Sequence, residues 1–68
     1  MKTQEDLDTE YQAWLGQVSA AITIRNRIVA SGEMATKTRV ENEIMPMFGI
    51  DRYDAHQIMN HIEYHNLK

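Results

Sequence analysis

The chain has 68 residues, ten acidic against seven basic, a net charge of -3 and no cysteine. One domain is all this length allows, with a core that is marginal unless a metal, a disulfide or a second chain supports it. Disulfides and thiolate metal sites are excluded, and the mild acidity disfavours a nonspecific nucleic-acid binder while falling short of the dense carboxylate array of a DNA mimic. No apolar run approaches the roughly 18 residues of a membrane span. Residues 1–10 carry four acids and one lysine, the reverse of a signal-peptide start. A soluble, cytoplasmic protein without membrane contact is therefore expected.

Helix one is predicted over about 4–30. Leu7, Tyr11, Trp14, Val18, Ala21, Arg25 and Ile28 alternate in steps of four and three, and Leu15, Ile22 and Val29 follow every second member. This gives an apolar face of roughly 100°, with Arg25 as the misfit. Glu5, Asp6, Asp8 and Glu10 near its start and Arg25 and Arg27 near its end complement the helix dipole. Gly32 supplies a left-handed stop. Residues 7–29 would span roughly 34 Å, more than the roughly 28 Å diameter of a compact chain of this size. Part of the apolar face should therefore need a second copy or another protein. A homodimer is expected through Tyr11, Trp14, Val18, Ile22, Ile24, Arg25 and Ile28. Ile24 is included because it broadens the apolar arc in the last turns, and Arg25 because a charge within a seam can fix register.

Helix two is predicted over about 36–46, starting at Thr36 or Thr38, where Thr38 and Glu41 have capping-box spacing. Val40, Ile44 and Met47 form its apolar edge. Pro46 should end it, leaving Phe48-Gly49-Ile50 as an apolar turn. Met45 and Met47 beside Phe48 read as filler for an irregular core more readily than as an adaptable binding surface. Helix three is predicted over about 51–66, capped by Asp51 and buried along Ala55, Ile58, Met59 and Ile62. On its opposite side Tyr53, Gln57, Asn60 and Tyr64 recur at 4-3-4 spacing, two tyrosines framing two carboxamides. That is the composition of a recognition surface, and these four are the candidate partner-binding residues.

The fold class is thus all-α, a single domain over 1–68 with a long N-terminal helix and a two-helix C-terminal hairpin. Residues 41–62, with Gly49 in the turn, resemble a helix-turn-helix, which implies a DNA reader placing Arg52, Tyr53, Gln57 and Asn60 near bases or phosphates. Pro46 and the acids Asp51, Asp54 and Glu63 depart from that pattern. The Met47-Phe48-Gly49 turn is also similar to the Met-Gly-Phe turn of ubiquitin-associated domains, with the order changed and no third short helix after it.

His61 and His65 have the i,i+4 spacing of two metal ligands, but a zinc site needs three or four, so no metal or cofactor is expected. Neither serine has a histidine nearby, and no phosphate loop occurs, so no catalytic residue is assigned. The function expected is that of a non-catalytic protein–protein interaction module, homodimeric, that binds and modulates or inhibits another protein of unknown identity. Small accessory proteins of phages and mobile elements often have this profile. The alternative is a dimeric helix-turn-helix regulator.

Overall fold

Capping residues set the element boundaries. In the computed structural model, which describes residues 3–67, three helices form: α1 Gln4–Ala30, α2 Lys37–Phe48 and α3 Arg52–Tyr64. Met1, Lys2 and Lys68, included in the expected domain, lie outside the described residues. Thr3 and Asp6 cap α1 reciprocally: the Asp6 N–H donates to Thr3 Oγ1 at 3.2 Å and the Thr3 N–H to Asp6 Oδ2 at 3.4 Å. Thr36 Oγ1 accepts from the Arg39 N–H at 3.2 Å, and Asp51 Oδ1 from the Asp54 N–H at 2.9 Å. Each such cap contributes about 1 kcal/mol. The Thr38–Glu41 box does not form, because Thr36 is the N-cap and Thr38 already lies inside the first turn.

All three helices stop on a left-handed residue, Gly32 (φ 87°), Gly49 (φ 64°) and Asn66 (φ 51°). In each case the following N–H reaches back to a carbonyl of the last turn, Glu33 to Ile28, Ile50 to Met45 and Leu67 to Ile62, at 2.9–3.2 Å. This is the Schellman arrangement, which satisfies the carbonyls a helix end leaves open. Two expected boundaries move. α2 runs through Pro46 to Phe48, the proline removing one intrahelical donor, to the Asn42 carbonyl, with its ring on the exposed side. α3 ends at Tyr64, earlier than expected, where Asn66 and Leu67 fold back over its last turn.

The three helices all contact one another around one core. Val18, Ala21, Ile24 and Ile28 enter it from α1, Val40 and Ile44 from α2, and Ala55, Ile58, Met59 and Ile62 from α3. The buried face of α1 is turned by roughly 60° from the face the sequence pattern favours, at 100° per residue. Ile24, expected at the edge of the stripe, is in the core, and Val18, Ile24 and Ile28 are each 4 % exposed. These three, expected at a dimer interface, pack within the chain's own core. Arg25 sits half-buried, its Nη2 donating to the Leu67 carbonyl at 2.8 Å, so the guanidinium helps to hold the end of α3. Met59 is in the core and Met45 packs beside it, whereas Met34 and Met47 are exposed.

α1 is roughly 40 Å long at 1.5 Å per residue, and its residues before Trp14 are exposed. The molecule measures 46 × 22 × 16 Å. Its radius of gyration, 12.9 Å, exceeds the roughly 11 Å of a compact chain of this length.

Candidate protein-interaction surfaces

Because Ala55, Ile58, Met59 and Ile62 take the inner face of α3, the helical repeat turns Tyr53, Gln57, Asn60 and Tyr64 away from the core. Tyr53 is 70 % and Tyr64 86 % exposed, with Gln57 exposed between them. Asn60 is half-buried, its Oδ1 accepting from Lys37 Nζ at 3.3 Å, and the same ammonium lies 2.7 Å from Glu63. The face therefore has two open aromatic ends and one carboxamide already engaged by α2.

Trp14, expected in a dimer seam, is half-buried and packs against α3. Its ring meets His61 edge-on at 4.6 Å between centroids, and His61 in turn lies 4.5 Å from His65. Tyr64 completes the row, 5.0 Å from His65. A groove of about 350 Å³ opens beside this row, between Glu10, Trp14 and Gln17 of α1 and Ile50, Asp54 and Gln57. It extends the α3 face onto the projecting part of α1.

A second surface runs along α1. Leu7, Tyr11 and Val29 are exposed, and Leu15 and Ile22 are half-buried, although all five belong to the apolar pattern. The rotation of α1 toward Ile24 leaves Leu7, Tyr11 and Val29 in solvent, while Ile22 still packs against the edge of the core.

The basic residues are largely committed within the chain. Arg27 pairs with Glu43 at 3.4 Å, Lys37 with Glu63 at 2.7 Å, Arg39 with Glu33 at 2.6 Å and Arg52 with Glu41 at 2.9 Å. Exposed pairs of this kind add little stability, but they neutralise the charges a nucleic acid would need.

The Arg52–Glu41 pair differs from the others, and sequence reasoning missed it. Glu41 is 3 % exposed, with Arg52 Nη1 donating to Oε1 at 2.9 Å and His56 Nδ1 3.0 Å from Oε2. Arg52 Nη2 also donates to Asn42 Oδ1 at 2.7 Å. Burial pushes the Glu41 carboxyl up, but hydrogen bonds and charge from Arg52 and His56 outweigh it and hold its pKa below the usual 4.5. The available signal was position: Glu41 lies beside Val40 and one turn before Ile44, on the side of α2 that meets the first turn of α3.

Among the described residues no group of three or more His, Cys, Asp or Glu side chains could hold a metal ion, and no helix is long and apolar enough to cross a membrane. Comparison with protein-family models, with curated proteins and with solved structures gives no match to this chain.

Proposed function

We propose that this chain is a small non-catalytic interaction module of the cytoplasm, homodimeric through the partly exposed strip of α1. It binds, and so modulates or inhibits, another protein through the outer face of α3. The observation that carries this is the exposure of Tyr53 and Tyr64 at the two ends of a helix face whose middle offers Gln57. A tyrosine ring in solvent adds nothing to the core, yet it supplies a large, amphipathic contact with few rotatable bonds when a partner covers it. The groove beside Trp14 would receive a partner side chain, and the bound partner would be occluded by docking alone.

The α2–α3 hairpin, joined by residues 49–51 with Gly49 in the turn, has the connection length of a helix-turn-helix. DNA binding is the weaker reading, because Asp51, Asp54 and Glu63 flank the reading face and four of the bases are already paired with carboxylates.

A photo-crosslinking amino acid at position 64, introduced in the cells of origin, separates the two. One discrete protein adduct that disappears on Tyr53→Ala supports the interaction module. Absence of any protein adduct, together with sequence-specific DNA binding that falls steeply with salt and is abolished by Gln57→Ala, overturns it in favour of the regulator.

A further inference from the structure

We infer that the strip on α1 takes a second copy of the same helix in antiparallel orientation and in one register, with Tyr11 opposite Ile22, Leu15 opposite Val18 and Asp8 opposite Arg25. This deepens the dimer reading above and rests on it. Tyr11, Leu15, Val18, Ile22, Arg25 and Val29 follow one another in steps of four, three, four, three and four. That is the spacing of a two-helix seam, with Asp8, Leu15, Ile22 and Val29 as one set of layers and Tyr11, Val18 and Arg25 as the other. The core of the chain uses the adjoining arc, Val18, Ala21, Ile24 and Ile28, so the seam keeps Tyr11 and Val29 exposed and Leu15 and Ile22 half-buried, with the core residue Val18 as its floor. The accessible surface reflects this: it is 4896 Å², against roughly 4400 Å² for a compact monomer of this mass.

Charge selects the occupant and its direction. Glu5, Asp6, Asp8 and Glu10 occupy the start of α1, Arg25 and Arg27 its end, and no acid occurs between Tyr11 and Ala30. A parallel copy would set four carboxylates beside four more. An antiparallel copy sets them beside arginines, so the helix is complementary to its own reverse.

Register follows from the same charges. Antiparallel seams oppose a residue of one set to a residue of the other, which allows alignments seven residues apart. With Tyr11 opposite Ile22, the pairs run from Gln4 with Val29 through Asp8 with Arg25, and nearly the whole of α1 overlaps. A shift of seven one way puts Arg25 against Leu15, and the other way puts Asp8 against Val18, each leaving a charge against an apolar side chain. Arg25 gives one N–H to Leu67 and has others to offer, while Asp8 accepts from Gln4 Nε2 at 3.0 Å and keeps acceptor capacity.

The absence of native cysteine makes a disulfide test clean. Tyr11→Cys and Ile22→Cys proteins are prepared separately and checked by sedimentation equilibrium, then oxidised alone and after mixing. The mixture should give a covalent dimer containing one chain of each kind. Each protein alone should not crosslink, because identical positions lie 11 residues apart along the pair, roughly 16 Å, beyond the reach of a disulfide. Efficient self-crosslinking of Ile22→Cys would mean a parallel pair, overturning this alignment while the dimer reading stands. A sedimenting dimer that crosslinks in neither form places the contact elsewhere and overturns the alignment. A wild-type protein that stays monomeric over a hundredfold concentration range overturns both.

Discussion

A carboxylate at 3 % exposure costs several kcal/mol unless charged donors meet it, and Glu41 meets them from a different helix. Its folded pKa is lowered, so it adds stability above its unfolded value, and that contribution is lost as pH falls through the folded value. Wild-type stability should therefore be flat in this respect above about pH 5 and decline as acid takes the carboxyl below its ordinary pKa. Glu41→Gln should cost about 1–3 kcal/mol at pH 7, as expected for a hydrogen bond to a charged group. Urea midpoints of the two proteins should converge as pH falls below the usual carboxylate value of 4.5, and an unchanged gap would mean that the charge contributes nothing. Asp51 and Gly32 were legible from the sequence because a cap or a stop depends on neighbours three to five residues away. Glu41 was not, because the donors that make its burial tolerable come from α3, and only the closed hairpin brings Arg52 and His56 to it.

At the scale of elements, glycine separates the helix stops from the helix interior. Gly49 holds φ 64° with nothing near the position of an added Cβ, so Gly49→Ala meets no clash and tests the backbone alone. An L-residue in the left-handed region costs about 1–2 kcal/mol, and that loss should appear as a lower midpoint in urea. Gly16 lies mid-helix on the exposed side of α1, also with open space around it. Gly16→Ala should accordingly stabilise the protein by roughly 0.5–1 kcal/mol, and helix content by circular dichroism should not fall. If both variants shifted the midpoint in the same direction, the assignment of helix interior and helix stop would be wrong. Periodicity identified α1 from end to end but not the side it buries. Its apolar residues span two adjoining arcs, one through Ile22 and Val29 and one through Ala21, Ile24 and Ile28. The choice between them lies in the shapes of α2 and α3, which local spacing does not encode. Pro46 misled because a proline removes only the donor at its own position and does not oblige the helix to stop there: α2 continues to Phe48, and the Ile50 N–H bond to Met45 closes it.

At the scale of the molecule, α1 outruns the bundle it stabilises, and Tyr11 stands on the projecting part, 57 % exposed and outside the core. A substitution there can weaken self-association without touching the fold, which makes Tyr11→Glu the variant of choice. If folding and dimerisation are linked, ligand and receptor are the same chain, and the melting temperature must rise with protein concentration. Wild type should show this rise over a hundredfold range, and Tyr11→Glu should melt at a temperature independent of concentration and close to the wild-type value at high dilution. Added salt should narrow the difference between the two proteins, because the complementarity of acidic and basic ends lies near the surface, where a Debye length of about 8–10 Å at moderate ionic strength already screens it. A wild type whose melt is insensitive to concentration would mean that the 46 Å molecule is sufficient as a monomer. The strip on α1 would then be available to a different protein, next to the α3 face and continuous with it through Trp14 and His61.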